Sequence, residues 1–403
     1  MTTTGGIRVL GIETSCDETA ASLISVDGAT RRVTILGNAV HSQIDMHAPH
    51  GGVFPMLAKR EHQANLVPVL EKVFAEASIK GEALGGAVLA KKKVLFDEIF
   101  AREPELRARF EEAIPALPRP DADFIAVTYG PGLEPALWVG VAFARALAAA
   151  WDVPLVPCNH MEGHIVAGLI KPDLTAPGVY DGAGASFPAL SLLISGGHTQ
   201  IVLAEKVGSY KVVGETRDDA IGECFDKVAR MLGLQYPGGP KVSKLAAEAR
   251  AKGLQSPEPL PRPMIDSKDL DFSFSGLKTA VLYLLKKLES EKRPLVDDIR
   301  AGICREAEDA VTEVVVAKMR AAIERFAVQS IVVGGGVIAN SHIRAALEAL
   351  AAECSIGIFL PQTDHATDNG FMIALAGYFN RAKAQSAEAP LRAVGNLPIG
   401  PRA

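Results

Sequence analysis

The sequence predicts an α/β protein built from two related halves. Three observations carry this. Strand-like and helix-like runs alternate between 123 and 164: an apolar run at 123–127, a tight Gly130-Pro131-Gly132 turn, a small-residue helical stretch at 136–150 and a second apolar run at 153–157. An apolar strand, a small polar turn and another apolar strand occur at 7–26 and again at 187–204, a weak internal repeat. A strand at 330–333 runs through Gly334-Gly335-Gly336 towards a helix starting at Ser341, an arrangement suited to facing a nucleotide.

At 403 residues the chain has room for two or three domain-sized cores. Its 48% hydrophobic and 22% charged residues are those of an ordinary globular protein. The net charge of −5 gives no global basic field, so a nucleic-acid partner needs a local basic patch or a helper protein. Five scattered cysteines, an odd number with no CxxC, make neither a disulfide framework nor a zinc knuckle and suit a reducing compartment. The Met1-Thr2-Thr3-Thr4-Gly5-Gly6 start lacks a basic then apolar leader, and no long apolar run suggests a membrane span. The expectation is a soluble, cytoplasmic protein.

In chain order, the first hairpin turn is Glu13-Thr14-Ser15-Cys16-Asp17-Glu18-Thr19. It can offer hydroxyls to phosphate and an acid to a metal or a migrating proton, or be a plain polar tip. His41, His47 and His50 precede Gly51-Gly52 and a helix bearing His62; their spacing favours a solvated or substrate-facing loop over a second metal site. From 77 to 120 the pattern weakens into a surface helical hairpin, with Lys91-Lys92-Lys93 read as a solvated face and Pro115, Pro118 and Pro120 closing it. Cys158-Asn159-His160-Met161-Glu162-Gly163-His164 follows a strand. On a helix its two histidines share one face, a spacing that suits one metal ion but is also met without one. The second half repeats the layout with Ser195-Gly196-Gly197-His198-Thr199 as its turn, whose glycines let backbone approach phosphate oxygens. An acid-rich helix start at 218–227, the Tyr236-Pro237-Gly238-Gly239-Pro240 turn, a hydroxyl-rich loop at 272–278, one or two helices at 295–326 and the Thr363-to-Gly370 loop complete it. The expected division is 1–182, 183–382 and a loose Ala/Pro-rich tail at 383–403.

Ten of these runs, in order and across nearly the whole chain, resemble the TsaD family of tRNA N6-adenosine threonylcarbamoyltransferases. They are Gly11 to Thr19, Gly51-Gly52-Val53-Phe54-Pro55, Tyr129-Gly130-Pro131-Gly132-Leu133, His160-Met161-Glu162-Gly163-His164, Ser195-Gly196-Gly197-His198-Thr199, Phe225-Asp226-Lys227, Pro237-Gly238-Gly239, Phe274-Ser275-Gly276-Leu277-Lys278, Gly335-Gly336-Val337 through Asn340, and Thr367-Asp368-Asn369-Gly370. The chain departs from the family pattern in the longer 77–120 segment, in Glu134-Pro135 where small residues are usual, and in lacking an acid after Pro55.

The resemblance implies an actin-like ATPase (ASKHA) fold, two RNase-H-like halves with a nucleotide cleft between them. It implies one divalent metal, iron(II) ahead of zinc, on His160, His164 and Asp368, and an adenylate on Leu193, Ile194, Ser195, Gly196, Gly197, Asp226, Gly239 and Asn340. The implied reaction moves threonylcarbamoyl from threonylcarbamoyl-AMP to the adenosine 3′ of the anticodon in tRNA. The implied partners are a TsaB-like paralogue and a TsaE-like ATPase, with no membrane. Position in the first hairpin nominates Asp17 or Glu18 to take the amine proton. A zincin is disfavoured because Met161 stands where such an enzyme has glutamate. A sugar kinase has no use for the His–His–Asp set, and a non-catalytic scaffold would be expected to lack it.

Overall fold

The computed structural model describes residues 6–182, 184–362 and 366–402. The first five residues, Ala183 of the linker-like run, Ala403, and Thr363, Asp364 and His365 of the loop before Asp368 lie outside the described residues.

The first unit comprises Met1–His47, Val53–Gly184 and Thr367–Ile399. Its seven strands are β1 (Ile7–Glu13), β2 (Glu18–Asp27), β3 (Arg32–Ser42), β4 (Phe124–Gly130), β5 (Leu155–Asn159), β6 (Ile170–Pro172) and β7 (Val179–Gly182), ordered β5-β4-β1-β2-β3-β7-β6. β1 to β3 form an antiparallel meander, and β4 and β5 lie parallel to β1 on its other side. Central β1 is covered on both faces, which is why its run is nearly all apolar. Leu10 and Ile12 point into a core shared with helices Pro55–Glu76 and Glu134–Trp151, while Gly11 faces helix Gly370–Phe379. The approach on that side is close. A Cβ on Gly11 would lie 2.3 Å from the Gly370 carbonyl oxygen, and one on Gly370 would lie 2.4 Å from the Ala21 carbonyl carbon.

The second unit comprises Ala48–Gly52, Ala185–Ala366 and Gly400–Ala403. Its strands are β8 (Ala189–Ile194), β9 (Thr199–Lys206), β10 (Ser209–Glu215), β11 (Ser330–Gly334) and β12 (Gly357–Phe359), ordered β10-β9-β8-β11-β12. Again three strands form an antiparallel meander and two lie parallel to the first of them. β5-β4-β1-β2-β3 and β12-β11-β8-β9-β10 are therefore one topology used twice, the RNase-H-like arrangement. The turn-based repeat at 7–26 and 187–204 detects only two strands of each copy; β3 and β10 were not anticipated. Leu190, Leu192 and Ile194 of β8 anchor this core against helices Ile221–Met231, Gly238–Lys252, Ser275–Ser290 and Asp297–Phe326, the last a single helix of 30 residues.

The structure divides the chain differently from the expectation at its C-terminal end. Helix Gly370–Phe379, expected in the second half, belongs to the first unit, because its apolar sequence covers the glycine-lined face of β1. The tail is packed rather than loose. Leu155 and Gln385 exchange backbone hydrogen bonds at 2.8 and 2.9 Å, Val394 N–H donates to Tyr129 O at 2.7 Å, and Ala387, Leu391 and Ala393 are buried. Val212 N–H donates to Pro401 O at 2.9 Å, and Arg402 pairs with Glu215 and Asp271. Leu155 and Val212 lie on the edge strands β5 and β10, whose unpaired backbone groups the tail partly satisfies.

The 77–120 segment forms three short helices, Gly86–Lys91, Lys93–Ile99 and Pro104–Ala113, rather than a hairpin. Phe96, Phe100 and Phe110 cluster there, and Phe110 meets Phe143 edge-on with ring centres 5.9 Å apart. Lys92 is not merely solvated: its Nζ donates to Ala149 O, one of the last carbonyls of helix Glu134–Trp151.

Candidate functional site

β5 ends in Asn159, whose side-chain oxygen accepts from the backbone N–H of Met161 and Glu162. This N-cap starts helix His160–Gly168 and fixes His160 at its first position. His164, one turn later, follows on the same face, with the two ring centres 4.7 Å apart. Helix Gly370–Phe379, capped by Asn369 on Met372 N–H, brings Asp368 to meet them. Asp368 Oδ1 lies 3.5 Å from His160 Nε2 and 3.2 Å from His164 Nε2. Among the described residues this is the one group of three or more His, Cys, Asp or Glu side chains gathered closely enough to hold a metal.

The residues fit a metal. His164 Nε2 is buried and makes no hydrogen bond among the described residues, although Asp368 Oδ1 is 3.2 Å away, so that contact is short without hydrogen-bond geometry. Two ligands about 2.1 Å from one ion at a tetrahedral angle stand about 3.4 Å apart, which matches both separations to Asp368. Two imidazoles and one carboxylate suit iron(II) or zinc.

Glu13 carries a role that the sequence reading missed. Its carboxylate is wholly buried at the end of β1. Oε1 accepts from Ser15 N–H, and Oε2 accepts from the Thr128 hydroxyl and faces His160 Nδ1 at 3.1 Å. Ser15 Oγ is also 3.1 Å from that nitrogen. A proton on Nδ1 shared with Glu13 leaves the Nε2 lone pair facing Asp368, the carboxylate–histidine–metal arrangement. The signal was an acid ending a strand otherwise entirely apolar but for Arg8, where burial demands a partner. Burial alone would lower the His160 pKa; Asp368 and Glu13 outweigh it and lift it to about 9.

Asp17 is buried in the turn after Ser15, and Glu18 opens β2. Burial first, then the charges of Asp368 and Asp17, hold the Glu18 carboxyl well above the usual carboxylate range. The two nominated acids thus share an electrostatic neighbourhood with Asp368. Glu162 Oε2 accepts from Asn380 Nδ2 at 2.7 Å, a structural pairing. Of the loop histidines, His47 is not solvated but buried, with Nε2 3.1 Å from Gln43 Oε1, while His50 is exposed.

In the second unit, Leu193, Ile194 and the Ser195-Gly196-Gly197 turn lie at the carboxyl end of β8, and Asn340 follows β11 by six residues, at the strand ends where ligands of α/β sheets sit. Leu193 pairs with Gly334 across these parallel strands. Gly335 then turns with φ +93°, and a Cβ there would lie 2.4 Å from the Ile194 carbonyl oxygen. Gly196, Gly197 and Gly239 are open, a Cβ on each meeting nothing within 4 Å. Two of the N–H groups expected to hold phosphate are engaged inside the turn: Ser195 N–H with His198 O and Gly197 N–H with Ser195 Oγ. Asp226 Oδ1 accepts from Gly238 N–H at 2.7 Å and ties the Pro237-Gly238-Gly239 turn to helix Ile221–Met231. Asn340 is spent on structure: Oδ1 caps helix Ser341–Glu353, and Nδ2 donates to Glu308, which also pairs with Arg250.

A duplicated RNase-H-like topology, with glycine turns at the strand ends of one copy, is the architecture of the actin-like ATPase class. The chain belongs to the TsaD family of tRNA N6-adenosine threonylcarbamoyltransferases and so is a transferase: the family model matches residues 34–92 and 109–375. The unmatched interval covers helix Lys93–Ile99 and the start of helix Pro104–Ala113. Curated tRNA N6-adenosine threonylcarbamoyltransferases of Burkholderia cenocepacia and Burkholderia thailandensis are each 43% identical to it. They align over 371 and 377 residues, covering 92% and 93% of this chain and 91% and 92% of their own. Among solved structures, component A of the Acidaminococcus fermentans (R)-2-hydroxyglutaryl-CoA dehydratase aligns over 94% of this chain and 100% of its own, at 14% identity and a TM-score of 0.45. Full-length HypF, in its phosphate- and nucleotide-bound form, aligns over 94% and 55% at 11% identity and a TM-score of 0.49.

Proposed function

We propose that this chain transfers a threonylcarbamoyl group from threonylcarbamoyl-AMP to N6 of the adenosine 3′ of the anticodon, position 37, in tRNAs reading codons that begin with A, releasing AMP. The observation that carries the reading is the meeting of His160, His164 and Asp368 in a chain of this family. His160 Nε2, His164 Nε2 and the Asp368 carboxylate would hold one divalent metal, iron(II) ahead of zinc. When bound, such an ion supplies Lewis-acid polarisation of a carbonyl or phosphoryl oxygen.

The other steps fall to the chain's own groups. The acceptor amine is a weak nucleophile because its lone pair is delocalised into the purine. Asp17 or Glu18 takes its proton as the carbonyl–nitrogen bond forms and the carbonyl–phosphate bond breaks. The turn at Ser195, Gly196 and Gly197, with Leu193, Ile194, Asp226 and Gly239, receives the adenylate, the open glycines leaving room for backbone to approach it. Asn340 contributes by fixing the loop after β11, since its amide is committed to the helix cap and to Glu308. Glu13 keeps His160 in the tautomer that presents Nε2.

No described helix is long and apolar enough to cross a membrane. The proposed setting is the cytoplasm, with tRNA, a TsaB-like paralogue and a TsaE-like ATPase as partners. The test is depletion of the protein in its host, followed by nucleoside analysis of bulk tRNA. Loss of threonylcarbamoyladenosine, restored by the wild-type chain but not by His164→Ala, is expected. Persistence of the modified nucleoside overturns the reading.

A further inference from the structure

The turn that carries Asp17 and Glu18 is held by a buried polar assembly on helix Pro55–Glu76 and the segment after β3. His62, Thr19, Gln43 and His47 are all fully buried. His62 Nε2 lies 3.0 Å from the Cys16 carbonyl oxygen, and Nδ1 lies 2.7 Å from the Thr19 hydroxyl and 3.2 Å from Gln43 Nε2. Gln43 also gives its backbone N–H to the Asp17 carbonyl at 2.9 Å. His47 continues the chain, with Nε2 on Gln43 Oε1 and Nδ1 accepting Phe54 N–H. Leu133 N–H meanwhile donates to Ser15 O at 2.7 Å. Three consecutive carbonyls, of Ser15, Cys16 and Asp17, are therefore pinned from outside the turn.

Burial keeps the His62 imidazole neutral, with a pKa of about 4. One ring nitrogen donates and the other accepts. A donor is required at Nε2, because a carbonyl can only accept, so Nδ1 takes the hydroxyl proton of Thr19. No other neutral side chain both donates and accepts across a rigid ring, and a fully buried polar ring without partners would be costly. The two ring nitrogens of His62 thus reach the two ends of one four-residue segment, Cys16 and Thr19, with Asp17 and Glu18 between them.

We infer that His62 is a positioning residue for the transfer reaction: by clamping the Cys16 carbonyl and the Thr19 hydroxyl it sets where the Asp17 and Glu18 carboxylates project. The inference rests on the function proposed above but has a readout of its own.

The experiment compares wild type with His62→Leu, His62→Gln and Thr19→Val, each loaded with zinc. Backbone hydrogen exchange of the 15–19 amides, zinc content and single-turnover transfer from threonylcarbamoyl-AMP to tRNA are measured. His62→Leu should exchange those amides at least about tenfold faster, with the β4 and β5 amides unchanged and zinc content retained, because the clamp and not the sheet is lost. Its transfer rate should fall about thirtyfold or more with the KM for the adenylate within about twofold, the signature of a misplaced group rather than lost binding. His62→Gln, which can still donate and accept, should recover part of the rate, and Thr19→Val, which keeps the shape and loses one bond, should lose about three- to tenfold. If His62→Leu fails to fold, the other two variants decide on the same readouts. Wild-type exchange in the turn, or a rate that falls only in proportion to zinc content, overturns the inference. A wild-type chain that transfers nothing even with the TsaB-like and TsaE-like partners added overturns the functional reading instead, while the exchange data still judge the clamp.

Discussion

Glu13→Gln is the sharpest probe of the proposed metal centre, because it changes one atom of a buried carboxylate whose two oxygens are both engaged. Oε1 takes Ser15 N–H, and Oε2 takes the Thr128 hydroxyl and faces His160 Nδ1. A glutamine amide must put its NH2 on one side or the other. Turned towards Ser15, it sets a donor against a backbone donor in a wholly buried place, a loss of about 1–3 kcal/mol in stability. Turned towards His160, it invites Nδ1 to accept and moves the ring proton to Nε2, which then cannot ligate. Either way the carboxylate behind His160 Nδ1 is gone, and such losses weaken metal binding by about 10- to 100-fold, or about 1.4–2.8 kcal/mol. Competition with a calibrated chelator, read with zinc or with iron(II) under anaerobic conditions, measures this directly. The tautomer argument fails if Glu13→Gln binds metal as tightly as wild type. It fails equally if Ser15→Ala, which removes the other group near Nδ1, weakens binding more than Glu13→Gln does.

Other outcomes follow from the same geometry. Metal must displace the His160 proton, so apparent affinity should climb by about tenfold per pH unit up to about 9 and then level off; a flat profile between pH 6 and 8 would refute the Asp368–Glu13 account of that imidazole. His62 works in the opposite direction. Its pKa is depressed from 6.5 to about 4, so the unfolded chain takes up a proton that the folded one refuses. The stability present above pH 6.5 should therefore fall by about 3 kcal/mol on the way down to pH 4, and His62→Gln should flatten that slope in urea unfolding. Asn340→Ala removes the cap of helix Ser341–Glu353 and a partner of buried Glu308, and should cost about 2–4 kcal/mol; a midpoint within error of wild type would show that the cap contributes nothing. Gly335→Ala forces a Cβ to 2.4 Å from Ile194 O at φ +93°, and should weaken AMP binding by calorimetry as well as lower the melting temperature.

How much of this could be read from sequence depended on whether a signal was local. The helix through His160 and His164 was legible because Asn159, the apolar run before it and the i, i+4 spacing lie within about ten residues. The repeated strand–turn–strand was legible for the same reason. β3 and β10 were not, because their alternation is broken by polar residues on half-covered faces. The return of helix Gly370–Phe379 to the first unit was hidden altogether. It rests on absent side chains at Gly11 and Gly370, two positions 359 residues apart in sequence, and no window of sequence pairs them.

That return is also what brings His160, His164 and Asp368 together. His160 and His164 alone would face a gap that water or a backbone carbonyl could fill. Asp368 reaches them only because the residue two positions on is a glycine lying against β2, and because Asn369 starts the helix there by capping Met372. A methyl group at position 370 would collide with the Ala21–Ser22 backbone and push the helix start away from the sheet, carrying the carboxylate with it. The place of Asp368, the proposed third ligand, is thus set by packing as much as by its own chemistry. Gly370→Ala should therefore lower metal affinity with no ligand touched, in step with a displaced Asp368, whereas an unchanged affinity would mean that the loop holds the carboxylate independently of the helix.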